Sequence, residues 1–279
     1  MASDTDTAQI GASEEHALSW LRGASAFLMD LDGVIYTGNT PIPGAREFLH
    51  ALLDRGRQFQ CITNNSTMTA TQFTAKLRAM DMPVTESQVL TSPLATAVYL
   101  REHVGPGARL FAIGEEGLLR ALLDAGFHLV RRAPDAVVCG LDRRLTYDRL
   151  RTACTAIRDG ARFIATNPDL ALPTEHGFIP GNGATLAYIQ AATGVPPVMI
   201  GKPEATMLHI AMARLGVSPA KTVMVGDSLR TDMLAGARAG VLSVLVLTGV
   251  SHMEDASAIA SPDLTVRDLV ALREMLAGG

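Results

Sequence analysis

Phe27 to Gly38 reads FLMDLDGVIYTG, an apolar run that ends in two aspartates, Asp30 and Asp32, followed by Gly33. A short apolar run closed by turn chemistry reads as a buried parallel strand. Its polar tail then emerges at the carboxyl edge of the sheet, where open α/β folds place their ligands. Three further segments repeat the arrangement: ITNNST at Ile62 to Thr67, IGKP at Ile200 to Pro203, and VMVGDSLRTD at Val223 to Asp232. Polar tails on several strands of one sheet predict one site.

Outward from these segments, strands and helices alternate. A helix is expected from Gly44 to Arg57, where Phe48, Leu49, Leu52 and Leu53 recur at helical spacing and Gly56 supplies a stop; strand FQCIT and a helix from Ala70 to Met80 follow. The pattern resumes after Gly183 with a helix to Gly194, strand PVMI, helix Glu204 to Gly216, strand TVMVG, helix Arg230 to Gly240, strand SVLVLTG and a last helix near Leu269 to Leu276. Such alternation implies right-handed crossovers and a parallel sheet covered on both faces. Between these halves lies a second complete alternation, RLFAIG, GLLRALLDAG, PDAVVCG, TYDRLRTACTAIRDG and ARFIATNPD. It is long enough for a separate small α/β domain. The expected organisation is therefore a core in two pieces, residues 1–86 and 183–279, with a smaller α/β cap inserted at 87–182.

Bulk properties narrow the partners. The chain has 279 residues, 48% of them hydrophobic, with 24 Lys plus Arg against 28 Asp plus Glu and a net charge of -4. No basic surplus argues for nucleic acid or an anionic membrane, so a small-molecule partner is favoured. Cys61, Cys139 and Cys154 are an odd number without Cys-x-x-Cys spacing, which fits a reducing cytosol. The polar, acidic start lacks the basic and apolar regions of a secretion signal, and the longest apolar run, Val241 to Val250, is too short to span a membrane. A soluble, unprocessed, cytoplasmic protein is expected.

Asp30 and Asp32 project to the same side if the chain stays extended. Two close carboxylates repel, and an oxygen-loving cation such as Mg²⁺ relieves that repulsion. One carboxylate can attack phosphorus while the other protonates the leaving oxygen and later activates water. The competing reading of Asp32-Gly33 is a β-hairpin turn. Thr63, Asn64 and Asn65 offer short donors to a phosphate, or else a helix cap begun by Ser66 or Thr67. Lys202, before Pro203, can neutralise a nucleophilic carboxylate and a transferring phosphoryl group, or simply be solvated. Asp227 adds an oxygen to a Mg²⁺ site, and Asp232, one turn on, orients Asp227, Lys202 or a metal-bound water, or else serves the helix N-terminus through its dipole.

Together, DLDGVIYTG, TNNS, GKP and GDSLRTD resemble the haloacid dehalogenase superfamily, specifically its phosphatase branch with a large α/β cap, which includes 4-nitrophenylphosphatases, phosphoglycolate phosphatases and nucleotide-monophosphate phosphatases. The resemblance runs from Ala24 to Leu276 and implies a Rossmann-like parallel-sheet core with an inserted α/β cap. It implies Asp30 as nucleophile, Asp32 as general acid/base, and Asp30, Asp32 (through its carbonyl) and Asp227 as the Mg²⁺ site, with Asp232 outside it. Thr63, Asn64, Asn65 and Gly33 become phosphate binders and Lys202 the neutralising lysine. The segments ATNPD and IPGNGA also resemble that branch. They make Asn167 and Asp169 candidates for the substrate's hydroxyls, or an Asn-Pro-Asp turn; His176 is a further candidate for the same cleft, or simply a solvated loop histidine. His50, His128 and His209 receive no role. The implied reaction is hydrolysis of a small phosphorylated metabolite through an aspartyl phosphate, and the resemblance also implies a homodimer through the cap, which is common in such relatives.

Two alternatives accompany this reading. One is phosphoryl transfer to another alcohol, as in mutases, against which the α/β insert argues. The other is dinucleotide binding through GNGATL at Gly181 to Leu186, which lacks a third glycine.

Overall fold

The computed structural model describes residues 15–174, 177–251 and 260–277, and His176 lies outside them. The chain forms two compact units, one from Met1–Ile62, Thr74–Val89 and Pro203–Gly279, the other from Thr63–Phe73 and Leu90–Lys202.

The first unit is built on a six-stranded sheet in the order Leu264–Val266, Leu242–Val246, Thr222–Gly226, Ala26–Met29, Gln58–Thr63, Val89–Thr91. Ala26–Met29 lies parallel to both neighbours, with Met29 opposite Val225 on one side and Cys61 on the other. Every residue of Ala26–Met29, Thr222–Gly226 and Leu242–Val246 is buried. Helices on both faces leave such strands no solvent side, which is why their sequences run apolar instead of alternating. The helix Ala45–Asp54 buries Ala45, Phe48, Leu49 and Leu52, a three-and-four spacing along one face. Phe48 meets Phe27 edge-on, with ring centroids 6.0 Å apart. Each such apolar side chain contributes about 1.5–3 kcal/mol on burial, so truncating Phe48 would unseat the helix from the sheet.

The segment after the first strand reconciles the two readings of Asp32-Gly33. Gly33 turns the chain at φ +80°, and the amides of Val34, Ile35 and Tyr36 all approach the Leu31 carbonyl at 2.9–3.3 Å. The antiparallel hairpin itself comes later, pairing Tyr36–Thr37 with Thr40–Pro41.

In the second unit a five-stranded sheet runs Val198–Met199, Arg162–Ala165, Ala136–Cys139, Arg109–Ile113, His128–Leu129, all pairs parallel. An antiparallel ribbon, Ala171–Thr174 with Gly177–Pro180, accompanies it. The core of this unit joins Phe111, Ile113, Val137 and Phe163 of the strands to Ala153 and Ile157 of helix Tyr147–Arg158 and to Leu186 and Ile189 of helix Asn182–Thr193.

That packing moves a boundary. The helix Asn182–Thr193 and the strand Val198–Met199, expected in the core from residue 183 onward, belong to the second unit, so the return crossing falls between Lys202 and Pro203. Leu186 and Ile189 bury against the second sheet, and that contact decides the helix's allegiance. The helix Ser92–His103, also in the second unit, carries no sequence expectation at all. Its buried set is Ser92, Pro93, Ala95, Thr96, Ala97 and Leu100, largely small residues that show little periodic contrast. Among the described residues no helix is long and apolar enough to cross a membrane.

Candidate active site

In the first unit, register brings distant acids together. The Asp30 amide donates to the Val225 carbonyl at 2.9 Å, extending the pairing one residue past the strand, so Asp30 stands beside the end of the strand that Asp227 follows. Carboxylate oxygens of Asp30, Asp227 and Asp232 all lie within 4.8 Å of one another; Asp30 is half-buried and the other two are buried. Asp232 accepts hydrogen bonds from the backbone amides of Asp227 and Ser228 at 3.2 and 3.1 Å. This closes the loop at the start of a π-turn, Leu229–Met233, a local irregularity that recurs at functional sites. The Asp227 carboxylate also receives the Val250 amide at 2.8 Å, and its backbone carbonyl the Ser251 amide at 3.1 Å.

Glycines make room for this convergence. A Cβ at Gly33 would lie 2.6 Å from the Asp227 carboxyl carbon, and one at Gly249 would run into the same carboxylate. Thr248 ties the two glycine turns together by donating its hydroxyl to the Gly33 carbonyl at 2.6 Å. Three crowded carboxylates of one sign and no soft ligand are a donor set for a hard divalent cation. The residues present fit such an ion.

Asp32 is exposed and its carboxylate stands outside that trio. Beside it, the Tyr36 ring is wholly buried, and burial followed by the carboxylates of Asp32 and Asp30 pushes its hydroxyl far above the ordinary tyrosine range. The Lys76 ammonium sits 3.8 Å from the centroid of that ring. Burial holds Lys76 below the usual lysine range, and the charge of Asp32 works against that. Cys61, opposite Met29, is pushed up to about 12 by burial and then by Asp30. Lys76 carried no motif signal in the sequence; only its place on the helix Ala70–Ala79 reveals it.

The second unit holds the amide-bearing residues. The Thr63 hydroxyl accepts the Asn65 amide at 3.2 Å, and Asn65 Oδ1 accepts both the amide and the hydroxyl of Thr67 at 2.9 Å, a local turn. Ser66 is buried and takes the Leu141 amide at 3.0 Å. Neither Ser66 nor Thr67 begins the following helix. Thr69 does, with a reciprocal pair in which Gln72 Oε1 accepts the Thr69 amide at 2.8 Å and the Thr69 hydroxyl accepts the Gln72 amide at 3.1 Å.

Asn64 and Asn167 are both engaged with backbone groups of the second unit. Asn64 Oδ1 accepts the Lys202 amide at 2.9 Å, while Nδ2 donates to the Lys202 carbonyl at 2.9 Å and to Asp169 at 3.4 Å. Asn167 is 3% exposed, and its amide nitrogen donates to the Asn64 carbonyl at 2.9 Å and to the Thr166 hydroxyl at 3.1 Å. Asn167 is thus buried with its amide nitrogen engaged inside the protein. Asp169 remains half-buried at the edge of the same cluster. The glycines of GNGATL serve packing: the Gly181 and Gly183 amides donate to the Leu170 and Asp169 carbonyls at 2.8 Å, and a Cβ at either would run into that backbone. This leaves no glycine cradle for a dinucleotide there.

Residues 27–128 match the family described as haloacid dehalogenase-like hydrolase, and residues 199–272 match one described as HAD-hydrolase-like. The chain is 44% identical over 232 residues to the 5'-nucleotidase YutF of Bacillus subtilis, covering 82% of this chain and 90% of that protein. It is 42% identical over 253 residues to an acid sugar phosphatase of Staphylococcus epidermidis, covering 90% and 97% respectively. A 4-nitrophenylphosphatase from Thermotoga maritima has a similar structure, with a TM-score of 0.88 at 36% identity over 92% of this chain and 99% of that one.

Proposed function

The chain belongs to the haloacid dehalogenase-like hydrolases and is a phosphomonoesterase acting on small phosphorylated substrates; on that premise we propose that it works through a phosphoaspartyl intermediate on Asp30. The observation that carries the reading is the convergence of Asp30, Asp227 and Asp232 at two adjacent strand ends. An Asp30 oxygen attacks phosphorus in line with the ester oxygen, the P–O ester bond breaks, and Asp32 gives its proton to the departing alkoxide. Asp32, now a carboxylate, takes a proton from water; the hydroxide displaces Asp30 from phosphorus and releases inorganic phosphate. Exposure of Asp32 outside the carboxylate trio suits a group that trades protons with leaving group and water.

Mg²⁺ is the proposed metal, held by the carboxylates of Asp30 and Asp227 and the Asp32 carbonyl with Asp232 behind them, and when bound it supplies positive charge against the phosphate oxygens. Lys202 meets the remaining charge of the transferring group, and Thr63 and Asn65 are the proposed phosphate donors, whereas the Gly33 amide donates to the Tyr36 carbonyl at 2.8 Å. The relatives' names point to sugar, nucleotide and aryl phosphates as the substrate range. Asp169 is the proposed contact for the leaving group, and the second unit is the proposed specificity cap. Three free thiols suit a cytoplasmic enzyme, and exposed Phe178, Leu170 and Tyr188 on the cap suit a homodimer.

A phosphate-release screen over phosphorylated sugars, nucleotides, glycolate, glycerol and aryl phosphates, with Mg²⁺ present, tests the proposal. Selectivity names the substrate class, and uniform low rates mark a generalist. Full turnover by Asp30→Asn would overturn the nucleophile assignment.

A further inference from the structure

A phosphate oxygen accepts hydrogen bonds, so a side chain that binds it must have an N–H or O–H to give. Asn64 has two amide hydrogens, and both are engaged, one on the Lys202 carbonyl at 2.9 Å and one on Asp169 at 3.4 Å. Its oxygen takes the Lys202 amide at 2.9 Å. One carboxamide therefore grips both backbone polar groups of a single residue, as a neighbouring strand would. We propose that Asn64 is a positioning residue whose side chain fixes the backbone of Lys202 and thereby aims its ammonium, and that its carboxamide is not itself a phosphate ligand.

The surroundings are built for that grip. The Asn64 carbonyl is held by the Ser92 hydroxyl at 2.7 Å and by Asn167 at 2.9 Å. The Asn167 carbonyl is held in turn by buried Asn182 at 2.8 Å. On the other side, the Ile200 amide continues the strand pairing to the Ala165 carbonyl at 3.0 Å, and Gly201 brings the chain so close that a Cβ there would lie 2.6 Å from Asn64 Oδ1. Lys202 is 2% exposed, so its side chain has little freedom to correct a misplaced backbone. An error of about 1 Å at a reacting centre costs up to about a hundredfold in rate.

This inference rests on the reading of Lys202 as the group that meets the phosphoryl charge, and a double-mutant cycle separates the two. Full-length wild type, Asn64→Ala, Lys202→Ala and the double variant are compared on 4-nitrophenyl phosphate with Mg²⁺, with folding checked by thermal unfolding. Asn64→Ala is expected to lower kcat about tenfold to a hundredfold with little change in KM, and to add less than about twofold in the Lys202→Ala background, because its effect passes through Lys202. Asn64→Ser, too short to reach both groups, should reproduce the loss should Asn64→Ala fold poorly. Multiplicative losses would make Asn64 an independent phosphate contact and overturn the proposal, as would full kcat in both Asn64 variants. Full activity of Lys202→Ala alone would instead remove the role of Lys202 on which the proposal stands.

Discussion

The carboxylate group of the first unit and the amide group of the second solve opposite electrostatic problems. Asp30, Asp227 and Asp232 share one sign within 4.8 Å, and neighbouring backbone amides and missing glycine side chains hold them there despite their repulsion. Asn64, Asn167 and Asn182 are neutral and pass hydrogen bonds from one to the next. The first arrangement concentrates carboxylates at one place, whereas the second answers its own polarity and becomes rigid. On the proposed reading, chemistry and positioning are divided between these two kinds of polar residue.

The largest expected effect breaks the first group. Asp30→Asn removes the proposed nucleophile while keeping its shape, and kcat should fall about 10⁴-fold or more, with the second unit's amide network untouched. Gly33→Ala comes next: its Cβ meets the Asp227 carboxylate and its φ of +80° adds strain of about 1–2 kcal/mol. Its Mg²⁺-induced rise in melting temperature should need about tenfold more metal, and an unaltered metal titration would mean that the close approach is not required for metal binding. Thr69→Ala, by contrast, loses a cap outside both groups. It should cost about 1 kcal/mol in urea unfolding with kcat unchanged; a loss of kcat would tie the cap to the site.

The same division explains what could be read in advance. Strand ends bearing Asp30 and Asp227 are legible because buried parallel strands write themselves as unbroken apolar runs, and a carboxylate at such an end has few structural uses. The amides are not legible in that way. TNN and TNP offer identical chemistry to a phosphate, a backbone or a cap, and only the fold brings the Lys202 backbone, 138 residues away, against Asn64. Strand partnership has the same weakness. Val198–Met199 is two residues long, and nothing in it specifies pairing with Ile164 and Ala165 in place of the other sheet. The domain boundary therefore shifted by about one helix and one strand. The helix Ser92–His103 escaped notice because its buried set is mostly small residues, with Leu100 its one large apolar member.

The smallest effect sharpens the comparison at Cys61. This thiol is pushed up to about 12, first by burial and second by Asp30. Below its unfolded value of about 8.5 the thiol is protonated in both states, and its contribution to stability is fully present. As pH rises past that value the unfolded chain ionises while the folded chain does not, so stability falls until the folded thiol ionises at about 12. The Tyr36 hydroxyl, raised by burial, Asp32 and Asp30, adds a loss of the same sign at higher pH. Asp30→Asn removes one cause for both groups and should make the alkaline decline shallower, whereas Cys61→Ala should remove the thiol's share and leave the tyrosine's. Cys139 in the second unit is also raised, chiefly by burial, with Asp142 adding and Arg149 opposing, so Asp30→Asn should leave its share alone. Urea midpoints between pH 8 and 11 for these variants give the test; an alkaline decline identical in wild type and Asp30→Asn would mean that the charge of Asp30 is already neutralised where it faces Cys61 and Tyr36.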